Sequence, residues 1–223
     1  VTGDVVNDGT VKTTKAIVTW NGNFTNNGAY ISDPVTQIFT DLNVNDPGFL
    51  LAASQDVFKI KNDFNNMSAN ASAWDTAMAT LQFITGADKS HNFYIAGADN
   101  GASSTNEFAW HTLNVLGQTV RLLDGNTGNT GSAQYVDVLL GADVNWATKV
   151  VNNIFNNDSS EINIYYDPKL LANAYLLGWN YTFAGGSGML IADPVPLPPS
   201  VFLLGSGLLG LGLLGWRRKR LMG

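Results

Sequence analysis

The chain has 223 residues, 45% hydrophobic and 11% aromatic, which is enough to fill the core of one domain and too few for two full-sized ones. With no cysteine, disulfides, thiolate catalysis and Cys-ligated metals are excluded. Charge is sparse at 13%; four of the twelve Lys/Arg residues are Arg217, Arg218, Lys219 and Arg220, so eight basic residues face eighteen acidic ones ahead of them, a balance that repels nucleic acid and anionic lipid and suits divalent cations.

In chain order, Asn7-Asp8-Gly9 is a turn signal, expected to close residues 5–6 onto 10–11 as a hairpin. Residues 16–20, AIVTW, are apolar and β-branched and predict a strand. The following NGNFTNNGAY has the composition of a loop. Residues 72–84 predict a helix, because Trp74, Ala77, Met78, Leu81 and Ile84 recur at helical spacing. Ser72 and Asp75 resemble a capping box there, and Gly86 follows as a stop.

Strands are expected at 93–96, 108–115, 119–123, 135–140, 162–166, 179–183 and 189–191, with 125–132 as a loop and 185–188 turning the last pair into a hairpin. A second helix is expected over 144–155, capped by Asp143, with Ala147, Val150, Val151, Ile154 and Phe155 on its apolar face. A third opens at Asp167-Pro168 and closes at Gly178. No internal repeat is counted. The expected fold is α+β: a strand-rich single domain with about three helices, followed by a C-terminal transmembrane-like helix. A β-sandwich is the alternative.

Candidate chemistry is thin. Asp88, Ser90 and His91 are neighbours in sequence, which does not supply the spatial convergence of a triad. His111 reads as a half-buried strand histidine. Gly185-Gly186-Ser187-Gly188-Met189 lacks the last glycine of G-x-S-x-G, and the glycines of 125–131 do not match a dinucleotide fingerprint. No catalytic residue is assigned. Asp41, Asn43 and Asn45 place side-chain oxygens at alternate positions, as a D-x-N-x-N calcium loop does, although the glycine stands at 48 and no glutamate closes the loop. Calcium is the one metal expectation, and plain turn chemistry explains the same residues.

The last stretch is the most informative. No charge occurs between Asp193 and Arg217, and residues 201–216 are strongly apolar. As a helix these sixteen residues would span about 24 Å, slightly short of a bilayer core. Pro196, Pro198 and Pro199 precede the run, where a helix begins, and Trp216 marks the far interface. Gly205, Gly207, Gly210, Gly212 and Gly215 allow close helix packing in lipid. Arg217, Arg218, Lys219 and Arg220 then hold the far side in the cytoplasm.

Pro-x-Pro, a short Gly/Leu-rich apolar run and a basic cluster, in that order, resemble the PEP-CTERM sorting signal of Gram-negative bacteria. The resemblance covers 195–220. The eponymous motif has Glu between the prolines, where this chain has Pro196-Leu197-Pro198. It implies Sec export, transient membrane insertion and recognition by an exosortase, a membrane-embedded transpeptidase-like enzyme. Family members are often linked to exopolysaccharide and biofilm matrix.

The expected organisation is therefore an extracytoplasmic domain at 1–193, a Pro-rich linker with the sorting motif at 194–200, an apolar helix at 201–216 and a basic end at 217–223. The expected function is that of a non-enzymatic structural protein of the envelope or extracellular matrix. It is exported, lies on the outer face of the membrane, at the cell surface or in the matrix, and is open to self-assembly. A polysaccharide-binding module with exopolysaccharide as partner is the first alternative, and a secreted hydrolase the second. Nucleic acid is not an expected partner.

Overall fold

The computed structural model describes residues 1–14, 17–101, 108–128, 131–156, 158 and 160–192. The linker, apolar helix and basic end expected over 194–223 lie outside them. Among the described residues no helix is long and apolar enough to cross a membrane.

The described residues wind through nineteen strands in successive coils. The first coil holds β1 (Val5–Asn7) and β2 (Thr10–Thr14), the next β3 (Ile17–Asn26) and β4 (Ala29–Asp33), and the third β5 (Thr36–Asn45) and β6 (Phe49–Leu51). Then follow β7 (Val57–Ile60) and β8 (Phe64–Met67), β9 (Thr76–Phe83) and β10 (Ser90–Ile95), and β11 (Trp110–Asn114) and β12 (Thr119–Asp124). A longer coil carries β13 (Ser132–Leu140), β14 (Val144–Asn145), β15 (Val150–Val151) and β16 (Ile154–Asn156). Strands β17 (Ile162–Tyr166), β18 (Tyr181–Phe183) and β19 (Met189–Ala192) end the fold.

Most strands pair in parallel with a counterpart one coil later; β14 with β15 and β18 with β19 are antiparallel pairs. Ile17 faces Thr36, Thr36 faces Val57, Val57 faces Thr80, Thr80 faces Thr112, and Thr112 faces Val138. A second track runs Val5, Phe24, Leu42, Phe64, Phe93, Leu122. A third begins Val11, Tyr30, Leu50. The result is a stacked solenoid, a parallel β-helix in geometry, whose large sheet curls round one core.

The residues dictate this locally. In β5, Gln37 and Phe39 point inward, the alternation then slips at Thr40-Asp41, and Leu42 and Val44 point inward again. Side chains alternate across a strand, so that slip is the corner between two faces. The inward residues stack on themselves. Trp20, Phe39 and Phe58 form a column with ring centroids 6.3 and 6.1 Å apart and planes 12° and 10° from parallel. Phe64 and Phe93 stack likewise at 5.5 Å. Such pairs add roughly 0.5–1.5 kcal/mol each beyond area burial.

Several sequence expectations are corrected. The α+β class with three helices gives way to a mostly-strand fold, and parallel coil-to-coil pairing replaces the antiparallel pairing a sandwich needs. Residues 72–84 form no helix. Ala71–Ala73 is a single 3-10 turn, and β9 buries Ala79, Leu81 and Phe83 at period two while Met78 faces solvent. The ladder from Phe58 through Leu81 to Leu113 overrides helical propensity there. Residues 144–155 form β14, a turn, β15 and β16; the Asn145 carboxamide oxygen accepts from the amides of Ala147 and Thr148, and Lys149 is left-handed. Of the 167–178 helix, only the 3-10 segment Leu171–Leu176 exists. The expected hairpin is absent, since β1 pairs with β3 and β2 with β4. The NGNFTNNGAY stretch is not a loop but the end of β3 and the start of β4.

A repeat does exist. Asn7-Asp8-Gly9, Asn26-Asn27-Gly28 and Asn45-Asp46-Pro47-Gly48 turn equivalent corners of successive coils. Two of the glycines are required by the stacking: a Cβ on Gly28 would overlap the Gly9 carbonyl, and one on Gly48 the Asn26 carbonyl. Inside the same corner, the Asn7 amide donates to the Asn26 carboxamide oxygen at 2.6 Å, and Asn26 donates to the Gly28 and Phe49 carbonyls at 2.9 and 3.0 Å. These bonds use polar groups that would otherwise be buried without partners.

Candidate interaction surface

The outer faces carry rows of polar side chains, one per coil. The Asp4 carboxylate accepts from the Asn23 amide at 2.8 Å, Asp41 from Asp63 at 3.2 Å, and Asp63 from Asn92 at 2.8 Å. A neighbouring row links Asn45 to Asn27 and Asn27 to Asp8, at 3.0 and 2.7 Å. Acids and amides thus staple each coil to the next, which is the physical use of a surface rich in Asn and Asp and poor in ion pairs.

The calcium candidates belong to these rows. Asp41, Asn43 and Asn45 lie on the extended second half of β5 and not in a loop. Alternate strand residues are about 6.6 Å apart, so Asp41 and Asn45 are too widely spaced to share an ion that needs oxygens at about 2.3–2.6 Å. Each already has a partner on an adjoining coil: Asp41 with Asp63, Asn43 with Asn65 at 2.6 Å, and Asn45 with Asn27. Among the described residues, no group of three or more His, Asp or Glu gathers as a metal site would require.

The histidines separate. His91 is buried; its Nδ1 lies 2.6 Å from the Asn62 carbonyl and its Nε2 3.0 Å from Gln118 Oε1. Asp88 accepts from the Ser90 backbone amide at 2.7 Å, so Asp88, Ser90 and His91 do not converge. His111 lies outward on β11, with Nδ1 2.8 Å from Asp137 Oδ2 on β13. In the same outward region Tyr135 and Tyr165 stack at 5.0 Å, and Asp99 accepts from the Tyr165 hydroxyl at 2.9 Å and from Asn163 at 2.7 Å. The Asn100 amide donates to the Tyr135 hydroxyl, and both rings are buried. The two tyrosines are therefore covered and do not form an open stacking platform.

Inside the first coils a polar chain is fully enclosed. The Trp20 indole donates to the Tyr30 hydroxyl, which donates to Gln37 at 2.7 Å; Gln37 donates to Thr13 and Ser32. Ser32 donates to Asp56, which also accepts from the Val35 and Ala53 amides at 2.7 and 2.6 Å. Burial holds the Tyr30 hydroxyl well above the ordinary phenol range. Burial also pushes Tyr175 up to about 12; its hydroxyl donates to the Leu139 carbonyl at 3.0 Å.

The apolar surface concentrates near the last strands. Trp146 is 55% exposed, Leu171 89%, Leu177 52% and Trp179 42%. In the Leu171–Leu176 segment Asn173 and Leu176 face inward, so residues three apart at 171, 174 and 177 share the outer face. The Trp146 indole donates to the Tyr175 carbonyl at 3.1 Å, and the Lys149 ammonium sits over the Trp179 ring. Trp20, Trp74 and Trp110 are buried. The helical reading of 144–155 hid Trp146; the three-residue spacing of Leu171, Ala174 and Leu177 was the available signal for the other half.

Compared with protein families, curated proteins and solved structures, the chain finds no match.

Proposed function

We propose that this chain is an exported structural protein of the cell envelope or extracellular matrix, a solenoid held at the membrane by its PEP-CTERM-like tail, and not an enzyme. An exosortase is its expected processing partner, and lateral or end-on self-association of solenoids is its expected mode of assembly.

The observation that supports this most is how the described fold ends. β19 is flanked on one edge by β17 and on the other by β18. β17 pairs with Leu190, Ile191 and Ala192, β18 with Met189 and Leu190, and the Ala192 amide donates to the Asn180 carboxamide, so these partners of the last strand all come from residues 1–192. Polar staples between coils tie each coil of the scaffold to the next. The apolar run of 201–216, with seven leucines, costs roughly 1.5–3 kcal/mol per exposed leucine in water and must end in lipid, in an assembly or be cut away.

The test is fractionation and intact mass of the exported chain, in cells with and without an exosortase. The full chain is expected in the membrane fraction with its acidic domain open to external protease. Substituting Gln at Arg217, Arg218, Lys219 and Arg220 is expected to lower the retained fraction severalfold. A full chain that stays soluble with its tail intact contradicts the reading.

A further inference from the structure

We propose that the exposed apolar face made by Trp146, Leu171, Ala174, Leu177 and Trp179 is a foot that rests on the lipid bilayer when the tail is inserted. The inference rests on the tail reading of the preceding section.

Its position carries the argument. The Ala192 amide, on the last described residue, donates to the Asn180 carboxamide at 2.8 Å. The chain therefore leaves the domain beside Trp179. Only residues 193–200 separate this exit from the apolar run, and eight extended residues reach at most about 29 Å. The tail thus holds this end of the solenoid close to the bilayer.

The chemistry fits the same occupant. Two indoles flank the apolar 3-10 face, and tryptophan favours the membrane interface. Lys149, against Trp179, and Lys169, exposed two residues before Leu171, are two of the eight basic residues ahead of the tail. Their long stems can lie along apolar surface while their charges meet lipid phosphate. Val6, exposed in the first coil, lies six strand steps from β16, about 29 Å at the usual strand spacing.

The absence of cysteine allows one clean probe. The full chain carrying Leu171→Cys, labelled with an environment-sensitive fluorophore, is reconstituted into phosphatidylcholine vesicles; a Val6→Cys chain is the control. Both are expected to float with the vesicles. Only the label at 171 should shift to the blue and be quenched by lipids brominated near the headgroup. A chain that does not float defeats the tail reading itself. A chain that floats while the label at 171 matches the label at 6 defeats the foot and leaves the tail reading intact. A label at 171 that is blue-shifted but not quenched by the brominated lipids is covered by protein, the chain's own tail or a second copy, and overturns a lipid contact.

Discussion

Phe39→Ala is expected to destabilise the domain by about 3–5 kcal/mol, measured as a lowered urea midpoint. Phe39 is fully buried and contacts Trp20, Phe24, Tyr30 and Phe58 by ring faces or edges. Its removal breaks the aromatic column in the middle, and the coils cannot close the gap because their spacing is set by backbone hydrogen bonds. Ile38→Ala, on the outer face of the same strand, is the matched control and should cost clearly less. Equal costs at 38 and 39 would mean that the column does not hold the first coils together.

Asp56→Ala is expected to cost about 3–5 kcal/mol, because two backbone amides and a serine hydroxyl lose their shared acceptor inside the core, each stranded donor costing about 1–3 kcal/mol. Asp56 is fully buried, and the Val35 and Ala53 amides have it as their acceptor. Asp41→Ala, in the outer row, removes bonds that water replaces and should cost under about 1 kcal/mol. The comparison is read from urea midpoints of the two variants. An Asp56 variant as stable as the Asp41 variant would show that the enclosed polar chain contributes nothing to the fold.

Much of the strand content was legible, and the architecture was not. The strand expected at 162–166 coincides with β17, and the strands expected at 119–123 and 135–140 fall on β12 and β13. The helix expected at 72–84 fails because Trp74, Met78 and Leu81 satisfy helical spacing while Ala79, Leu81 and Phe83 satisfy period two, and only stacking on Phe58 and Leu113 decides between them. The repeat was hidden by its own drift. Ile17 to Thr36 is one coil of 19 residues, whereas Thr80 to Thr112 is one of 32. Extra residues enter at the corners, where a solenoid tolerates them, so a fixed-period count finds nothing. The Asn-x-Gly signature of the first two corners predicts a hairpin turn at 7–9 and a loop over 21–30, because Asn and Gly favour turns.

The surface was less legible still. Asp41, Asn43 and Asn45 have the oxygen spacing of a metal loop, yet as outward residues of a strand they serve the next coil. Whether an Asn caps a turn, staples a coil or binds an ion depends on which neighbour the winding supplies. Trp146 and Trp179 are ordinary tryptophans in sequence; their exposure, and their place beside the exit of the chain, belong to the fold.

The central claim is that the solenoid is complete before the tail begins. The direct measurement is the urea unfolding midpoint and far-ultraviolet circular dichroism of the chain truncated after Asp193, beside the full chain in detergent. The account predicts a soluble product with a strand-rich spectrum and a single cooperative transition at the full chain's midpoint. A truncated chain that is unfolded, or whose midpoint falls well below that of the full chain, would make the tail part of the core and contradict it.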